Sequence, residues 1–380
     1  MNFQLTEEHH MVRGMVRNFV DKEIAPRAEE IDEKDEFPRD IFHRMGELGL
    51  LGLPFPEEYG GCGSDFMSLV IALEEIARAS GSVAIILDAH TSLCCEPLFL
   101  FGTEEQKRIY LIPLARGQKI GAFGLTEPGA GSDAGATRTR AVRDGDEWVI
   151  NGQKIFITNG SVADVVVITA KTDSERGTRG ISAFIVEKGT PGFQLGRDEK
   201  KMGLKGSVTS QLFFENSRLP VDNLLGEENA GFRQVLITLD AGRVAIAAIA
   251  VGLAQGAFER AVAYAKERVQ FGRPIAGFQA IQWMIADMTT QIEAARLLVY
   301  RAAWLKDQGL PFAKQAAVAK LFASEMSERV CRDAIQIHGG YGYMQEYAVE
   351  RMYRDQRLCA IGEGTNEIQR LVIARHVLGL

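Results

Sequence analysis

The sequence lacks several features that would assign a function directly. Its 380 residues contain five cysteines but no C-x-x-C pair, so buried thiols in a reducing compartment are favoured over a zinc site or a redox dithiol. The net charge of −7 comes without any basic stripe, which excludes an ordinary nucleic-acid binder. No uncharged apolar run approaches the ~20 residues that cross a bilayer. The first residues also lack the basic region and apolar core of a targeting peptide, so we expect a cytoplasmic protein.

The hydrophobic periodicity changes twice along the chain. Residues 1–120 and 233–380 carry apolar side chains at helical spacing, whereas residues 121–232 alternate as strands do. We therefore predict an α+β multidomain fold: a helical N-terminal domain, a middle β domain and a C-terminal helical domain. An apolar content of 46% is ample for their cores.

The middle segment predicts antiparallel strands. Two apolar runs, 148–150 and 155–157, flank Asn151-Gly152, and Asn-Gly suits the type I′ turn of a hairpin. Further strands are predicted at 165–169, 181–186 and 208–214. This pattern favours an antiparallel barrel or sandwich over alternating β-α units.

The C-terminal segment predicts long helices joined by short turns. An alanine- and glycine-rich helix extends from 232 to about 269, and Gly309-Leu310-Pro311 ends one later helix and begins the next. A last helix follows Thr365. Such connections are typical of an antiparallel four-helix bundle.

Glu363 is the strongest catalytic candidate, because it stands between Gly362 and Gly364 just before the last helix. Glycine allows close backbone approach or a positive φ, which a catalytic base pressed against a ligand would need. A solvated acid in a surface loop is the alternative. A second glycine-rich segment at 125–133 favours the catalytic interpretation.

That second segment contains Gly129, Gly131 and Ala134 at the spacing of a dinucleotide-binding fingerprint. The fingerprint requires a helix immediately after it. Residues 135–142 instead alternate as a strand does, so a Rossmann domain is excluded. A loop rich in free amides could still bind an anionic cofactor through a backbone nest.

Three segments together resemble the acyl-CoA dehydrogenase family, and the resemblance covers essentially the whole chain. The first is Gly124-Leu125-Thr126-Glu127 with Gly131-Ser132-Asp133. The second comprises Gln336, Gly339, Gly340, Gly342, Glu346, Arg351 and Asp355. The third is Glu363-Gly364-Thr365 with Ile368-Gln369-Arg370. Three signatures in the family's order are much more specific than any one of them.

The resemblance implies a helical, β and four-helix architecture that binds FAD, assembles as a dimer of dimers and passes electrons to an electron-transfer flavoprotein. It places these residues beside the cofactor: Phe123, Leu125, Thr126, Ser132, Phe156, Thr158, Arg268, Phe271, Gln279, Gln336, Gly339, Gly340, Thr365 and Glu367. It places Ser132, Asp240, Arg243 and Gly364 near the CoA ester. No metal is implied. From the residues alone, Arg268 could be a helix-end charge, and Asp240 with Arg243 could be an intrahelical pair.

The implied reaction is α,β-dehydrogenation of an acyl-CoA thioester to the trans-2-enoyl-CoA. Glu363 would remove the α proton while a hydride passes from the β carbon to flavin N5. Some relatives carry the base on the long helix instead, where this chain has Gly242. Gly362 replaces a frequent tyrosine, which makes a branched or alicyclic acyl group plausible.

Three further points stay open. Asp88, in the buried run 85–88, is interpreted as a satisfied core aspartate; the alternatives are a polar contact to the substrate or a second acid for a cyclic substrate. Phe156 stands where many members have tryptophan, a change that we expect to be tolerated. An acyl-CoA oxidase, a related flavin monooxygenase and a non-enzymatic helical scaffold are the rival functions.

Overall fold

The computed structural model describes residues 4–380. The N-terminal helices are α1 (Glu7–Phe19), α2 (Ala28–Lys34), α3 (Arg39–Glu47), α4 (Phe66–Ala77), α5 (Gly81–Asp88), α6 (Glu96–Phe101), α7 (Glu104–Gln106) and α8 (Ile112–Ala115). A π-helical stretch, Ala89–Cys95, joins α5 to α6, so the predicted buried helix is continuous but widened in its middle. Such π insertions occur frequently at functional sites. Asp88, the last residue of α5, directly precedes the π-helical stretch.

The middle of the chain forms one eight-stranded sheet. Its strands are β1 (Gly121–Gly124), β2 (Arg140–Asp144), β3 (Glu147–Thr158), β4 (Val165–Lys171), β5 (Ile181–Glu187), β6 (Phe193–Asp198), β7 (Thr209–Pro220) and β8 (Leu224–Leu225). The order is β6-β7-β3-β2-β4-β5-β8, with β1 beside β4. The predicted middle β domain is confirmed. Most pairings are antiparallel, but β1 and β2 each meet β4 in parallel, which alternation within one strand cannot predict.

The predicted Asn-Gly hairpin is wrong. Strand β3 continues through Asn151 and Gly152, and a register shift against β7 occurs at this point. Gly152 has a φ of 150°, and a Cβ there would lie 2.6 Å from Thr139 Cα. The dipeptide therefore forms a bulge under close backbone approach. The turn lies earlier, at Gly145, which has a φ of 63° and connects β2 to β3.

The C-terminal part is a bundle of long helices. It contains α9 (Gly231–Glu267), a two-stranded ribbon of β9 (Val269–Gln270) and β10 (Arg273–Pro274), α10 (Gln279–Asp307), α11 (Ala313–His338), α12 (Val349–Gln356) and α13 (Asn366–Leu378). Glycine in α9 permits close packing on the N-terminal helices: a Cβ at Gly252 would overlap the Glu74 carbonyl oxygen of α4. One apolar core accordingly joins helices from both ends of the chain.

Two helical stretches, Gly81–Phe101 and Gly231–Glu267, are long and apolar enough to cross a membrane by length and composition alone. In this fold, 83% and 78% of their apolar windows are buried inside the protein. Their hydrophobicity is thus accounted for by the core that they form.

Candidate active site

Glu363 lies in a loop that two helices hold in a strained conformation. Its φ of 55° is in the left-handed region, which non-glycine residues seldom adopt. Lys320 Nζ donates to the Gly364 carbonyl oxygen at 2.9 Å, and Gln369 Nε2 donates to the same oxygen at 2.8 Å. Thr365 caps α13 through its hydroxyl. On the other side of Glu363, the Gly362 amide donates to the Leu358 carbonyl oxygen at 2.8 Å, so hydrogen bonds hold the backbone on both sides of this residue.

The carboxyl group of Glu363 lies against α9 at Gly242, where the absence of a side chain leaves room for it. A Cβ at Gly242 would stand 2.8 Å from Glu363 Cδ, closer still to Oε2, and 2.9 Å from Leu93 Cδ2. Real Cβ atoms do not approach so closely, so a side chain at 242 would displace the carboxyl group. The two positions that the family resemblance gives for the base are therefore adjacent in space.

The partner of Glu363 is Asp88, the terminal residue of α5. The two carboxyl groups are within hydrogen-bonding reach of each other, and Asp88 is fully buried. Within residues 4–380, no amide, hydroxyl or cationic group donates a well-formed hydrogen bond to any of the four oxygens. The interpretation of Asp88 as a core aspartate satisfied by donors is therefore wrong; its side chain belongs to the candidate site.

The electrostatics of the site follow from burial. Burial raises the pKa of Glu363 well above its usual range, and the neighbouring Asp88 raises it further. Burial also raises the pKa of Asp88 to about 6 and lowers the pKa of Lys320 to about 8. Arg243 Nη1 donates to Asp240 Oδ1 at 2.6 Å, so these two residues do form an intrahelical pair, close enough for Arg243 to stabilise an ionised Glu363. The site therefore favours a protonated Glu363 when no ligand is bound.

The glycine-rich loop at 125–133 is anchored by a buried ion pair. Lys154 Nζ lies 2.8 Å from Glu127 Oε1 and also donates to the Leu125 carbonyl oxygen at 3.2 Å. Glu127 accepts the Arg138 amide at 2.6 Å and the Thr137 hydroxyl. Although burial opposes ionisation of Glu127, the Lys154 charge lowers its pKa to about 2. A short 3-10 turn and then β2 follow this loop, so the absence of a Rossmann helix is confirmed.

Most of the predicted cofactor residues of the middle domain lie along this loop and its neighbouring strands. Phe123, Leu125, Thr126 and Thr158 are partly buried, and Ser132 is exposed. The Ile155 amide donates to the Thr126 carbonyl oxygen at 2.9 Å, which brings the loop beside Phe156. Phe156 has a φ of 60° and is 62% exposed. A bulky residue that is both strained and exposed is a frequent sign of a binding surface.

A cleft of about 440 Å³ lies between the end of α9 and the turn after α11. Arg268, Gly339 and Gly340 line it together with His338 and Tyr341. The Arg268 guanidinium lies 5.4 Å from the centre of the Tyr341 ring, so stacking on this ring positions it.

Other predicted residues do not join that cleft. Phe271, Gln279 and Gln336 are exposed and do not line it; Phe271 is 94% exposed with a φ of 52°. Glu367 is exposed in the first turn of α13. Within one chain, these side chains face solvent.

Comparison with known proteins decides the family. Family models for the N-terminal, middle and C-terminal domains of acyl-CoA dehydrogenases match residues 6–118, 122–217 and 229–378. The chain belongs to the acyl-CoA dehydrogenase family. It is 57% identical to a probable acyl-CoA dehydrogenase of Bacillus subtilis over 379 residues, which is 100% of both chains. As a member of this family it is an oxidoreductase.

Solved structures support the same family assignment. The butyryl-CoA dehydrogenase of Megasphaera elsdenii has a TM-score of 0.98 and 46% identity, and 100% of each chain is covered. A structure described as the electron transferring flavoprotein of Acidaminococcus fermentans has a TM-score of 0.99 and 51% identity, again over 100% of each chain. The acyl-CoA dehydrogenase fold predicted from the sequence is thereby confirmed.

Two lysines of this acyl-CoA dehydrogenase were missed at the sequence level. Lys154 and Lys320 are both 0% exposed and fasten the two loops that carry the candidate residues. A signal for Lys154 existed, because it occupies an inward position in the alternation of β3 after Trp148 and Ile150. A signal for Lys320 existed too: it is a single charge in the apolar run 316–323. Buried lysines are rare unless they are paired.

Proposed function

We propose that this protein catalyses FAD-dependent α,β-dehydrogenation of a short acyl-CoA, with Glu363 as the base. The observation that carries the proposal is a buried carboxyl group with a raised pKa, fixed in a strained loop and seated against Gly242. Strain and perturbed titration at a buried acid are more common at active sites than in ordinary cores.

The residues present fit FAD. Added Cβ atoms at Gly129, Gly131, Gly339 and Gly340 would meet nothing within 4 Å, so both glycine-rich segments leave their backbones open to a ligand. Arg268, beside the second segment, offers the forked donors that suit a pyrophosphate. When bound, FAD would supply the two-electron acceptor.

We assign the same cofactor contacts as the family resemblance. In the middle domain these are Phe123, Leu125, Thr126, Ser132, Phe156 and Thr158, and in the C-terminal part they are Arg268, Phe271, Gln279, Gln336, Gly339, Gly340, Thr365 and Glu367. The outward direction of Phe271, Gln279 and Gln336 supports contacts made across a subunit interface. A homotetramer arranged as a dimer of dimers, which the family resemblance implies, is part of this proposal.

The chain's own residues would act as follows. Glu363, ionised, takes the α proton of the thioester, and its dry surroundings make it a stronger base than an exposed glutamate. Lys320 and Gln369 keep the loop from turning away. Ser132, Asp240, Arg243 and Gly364 lie near the CoA ester in this proposal. A hydrogen bond from the Glu363 amide to the thioester oxygen would stabilise the enolate-like state by on the order of 3 kcal/mol.

The substrate that we favour is a short acyl chain. Butyryl-CoA dehydrogenase is among the similar solved structures. An added Cβ at Gly362 would already be in ordinary contact with Leu358, whose carbonyl oxygen lies 3.6 Å away. A branched or alicyclic acyl group, in the space that a larger side chain at 362 would take, is the alternative. Electron transfer to an electron-transfer flavoprotein is supported by the similarity to the Acidaminococcus structure.

The proposal also includes three domains, at residues 1–120, 121–232 and 233–380, and a cytoplasmic location.

The test is Glu363→Gln in the FAD-loaded protein. Anaerobic mixing with butyryl-CoA should bleach the flavin of the wild type, whereas the variant should bind FAD and butyryl-CoA yet leave the flavin oxidised. Glu328→Gln, which changes an exposed acid on α11, is the control and should behave as wild type. Bleaching at the wild-type rate in Glu363→Gln would rule out this base. A colourless protein would favour the scaffold, and rapid reoxidation by oxygen would favour an oxidase.

A further inference from the structure

One buried acid of the site has no role in the reaction just proposed. Asp88 is 0% exposed, and its carboxyl group faces that of Glu363. It comes from the N-terminal part of the chain and Glu363 from the C-terminal part, so the contact exists only in the folded protein.

We propose that Asp88 is a positioning residue that shares one proton with Glu363, so that the two carboxyl groups form a single acid–base pair. This inference rests on the proposed function, because it specifies how Glu363 is held and when it can act as a base. Two carboxylates in contact cannot both be ionised away from water without a large energetic cost. A proton between them removes that cost and satisfies one oxygen of each.

The hydrogen-bond pattern supports a shared proton. All four carboxyl oxygens are buried, and no donor among the described residues makes a well-formed hydrogen bond to them. Buried polar atoms nearly always have a partner. An O–H of protonated Glu363 donating to Asp88 supplies one, whereas the Ser92 hydroxyl beside Asp88 makes no well-formed hydrogen bond to it.

The charged groups around the pair are engaged elsewhere. From α9, Arg243 is bound to Asp240 at 2.6 Å. From α11, Lys320 is bound to the Gly364 carbonyl oxygen at 2.9 Å and to Asn366 Oδ1 at 3.1 Å. On the π-helical side, the Ser92 hydroxyl lies beside Asp88 and makes no well-formed hydrogen bond of its own. The positive charges of Arg243 and Lys320 lower the energetic cost of one negative charge on the pair, but neither side chain replaces the shared proton.

The pair has a definite consequence for catalysis. Glu363 must release the shared proton to solvent before it can accept the α proton, after which the pair again holds one proton. The α C–H bond breaks with its electrons left on the α carbon, where they become the second bond of the new C=C. The β C–H bond breaks as well, and the acceptor named in the proposed function would take that hydrogen with its electron pair. The rate of flavin reduction should therefore fall tenfold for each pH unit below the higher titration of the pair.

Asp88→Asn tests the pair, because asparagine has the same shape, carries no charge and can donate to an ionised Glu363. Flavin reduction by butyryl-CoA is measured from pH 5.5 to 9.5. We expect the acid limb of the profile to move to lower pH by about 2 units, a typical scale for coupled acids, so that the rate at low pH relative to the plateau rises up to about 100-fold. Asp355→Asn is the control: Asp355 is another buried acid, with a pKa raised to about 6, but it does not face Glu363. An acid limb that stays in place in Asp88→Asn, or moves equally in Asp355→Asn, overturns the proposal.

A second measurement needs no turnover. In the protein without acyl-CoA, difference infrared spectra should show the carbonyl stretching band of a protonated carboxylic acid that persists at neutral pH. The midpoint of its titration should fall in both Asp88→Asn and Glu363→Gln, since each acid loses its partner. A wild type without such a band contradicts the pair, even if a variant fails to fold. If the band behaves as expected but no acyl-CoA bleaches the wild-type flavin, the proposed function fails while the pair stands.

Discussion

Gly242→Ala is the sharpest perturbation of the catalytic geometry that the structure offers. The new Cβ would lie 2.8 Å from Glu363 Cδ and 2.9 Å from Leu93 Cδ2. Residues 241–254 of helix α9 are buried in the core, so the end of the flexible Glu363 side chain moves more easily than the helix. A displacement of about 1 Å at a reacting group can cost on the order of 100-fold in rate. Stability should change little or rise, because alanine in a helix interior is better than glycine by about 1 kcal/mol, offset by the strain of moving the carboxyl group.

The assay compares the rate of anaerobic flavin reduction with the midpoint of thermal unfolding. Gly14→Ala in α1 is the matched control, since an added Cβ there meets nothing within 4 Å; it should keep the wild-type rate. Gly252→Ala is the opposite control, because its Cβ would overlap the backbone of α4; it should lose about 1–3 kcal/mol of stability. A Gly242→Ala enzyme that reduces its flavin at the wild-type rate would refute the inferred position of Glu363.

Four other outcomes follow from the burial and exposure of particular side chains. Lys154→Met should lower the free energy of unfolding in urea by about 3–5 kcal/mol, because it leaves Glu127 buried without its cation. Since the pKa of Glu127 is lowered to about 2, its stabilising contribution should be complete above roughly pH 4.3 and disappear as the pH falls toward 2; urea titrations at pH 6 and pH 3 should differ less in Glu127→Gln than in wild type. Lys320→Met, which removes the donor to Gly364, should slow flavin reduction about 10- to 100-fold while FAD stays bound, and an unchanged rate would show that the loop needs no anchor. A thiol reagent should modify Cys62 alone in the native protein, because the other four cysteines are buried, and a second fast-reacting thiol would contradict the core packing.

Periodicity was sufficient to predict the order of helical and β segments, because each segment is long and its apolar face must meet a core. It failed at Asn151-Gly152, where the local preference for a turn is outweighed by the pairing of β3 with β7 along its whole length. The parallel pairing of β1 with β4 likewise could not be predicted from the sequence. Pairing between distant strands depends on tertiary packing and leaves no periodic trace in either strand.

At the candidate site, Glu363 could be chosen from sequence because two glycines next to an acid are unusual. Its relation to Asp88 could not, since 275 positions separate 88 from 363 (363 − 88) and a lone acid in an apolar run has no sequence mark that tells a satisfied residue from an unpaired one. The expectation that all five thiols are buried was also wrong for Cys62. The assignment of individual cofactor contacts remains a prediction.

The junction at which the two acids meet limits how this protein can exchange parts with its relatives. Asp88 enters from the first segment, whereas the gap at Gly242 and the strained loop both belong to the last. A chimera with the first segment of a relative would thus retain Glu363 but take the residue at position 88 from that relative. The pKa of Glu363 would then change, although no residue near it in the sequence had been altered. Shuffling at domain borders should consequently retune the pH response of such hybrids, and the position facing Glu363 deserves to be transferred together with it.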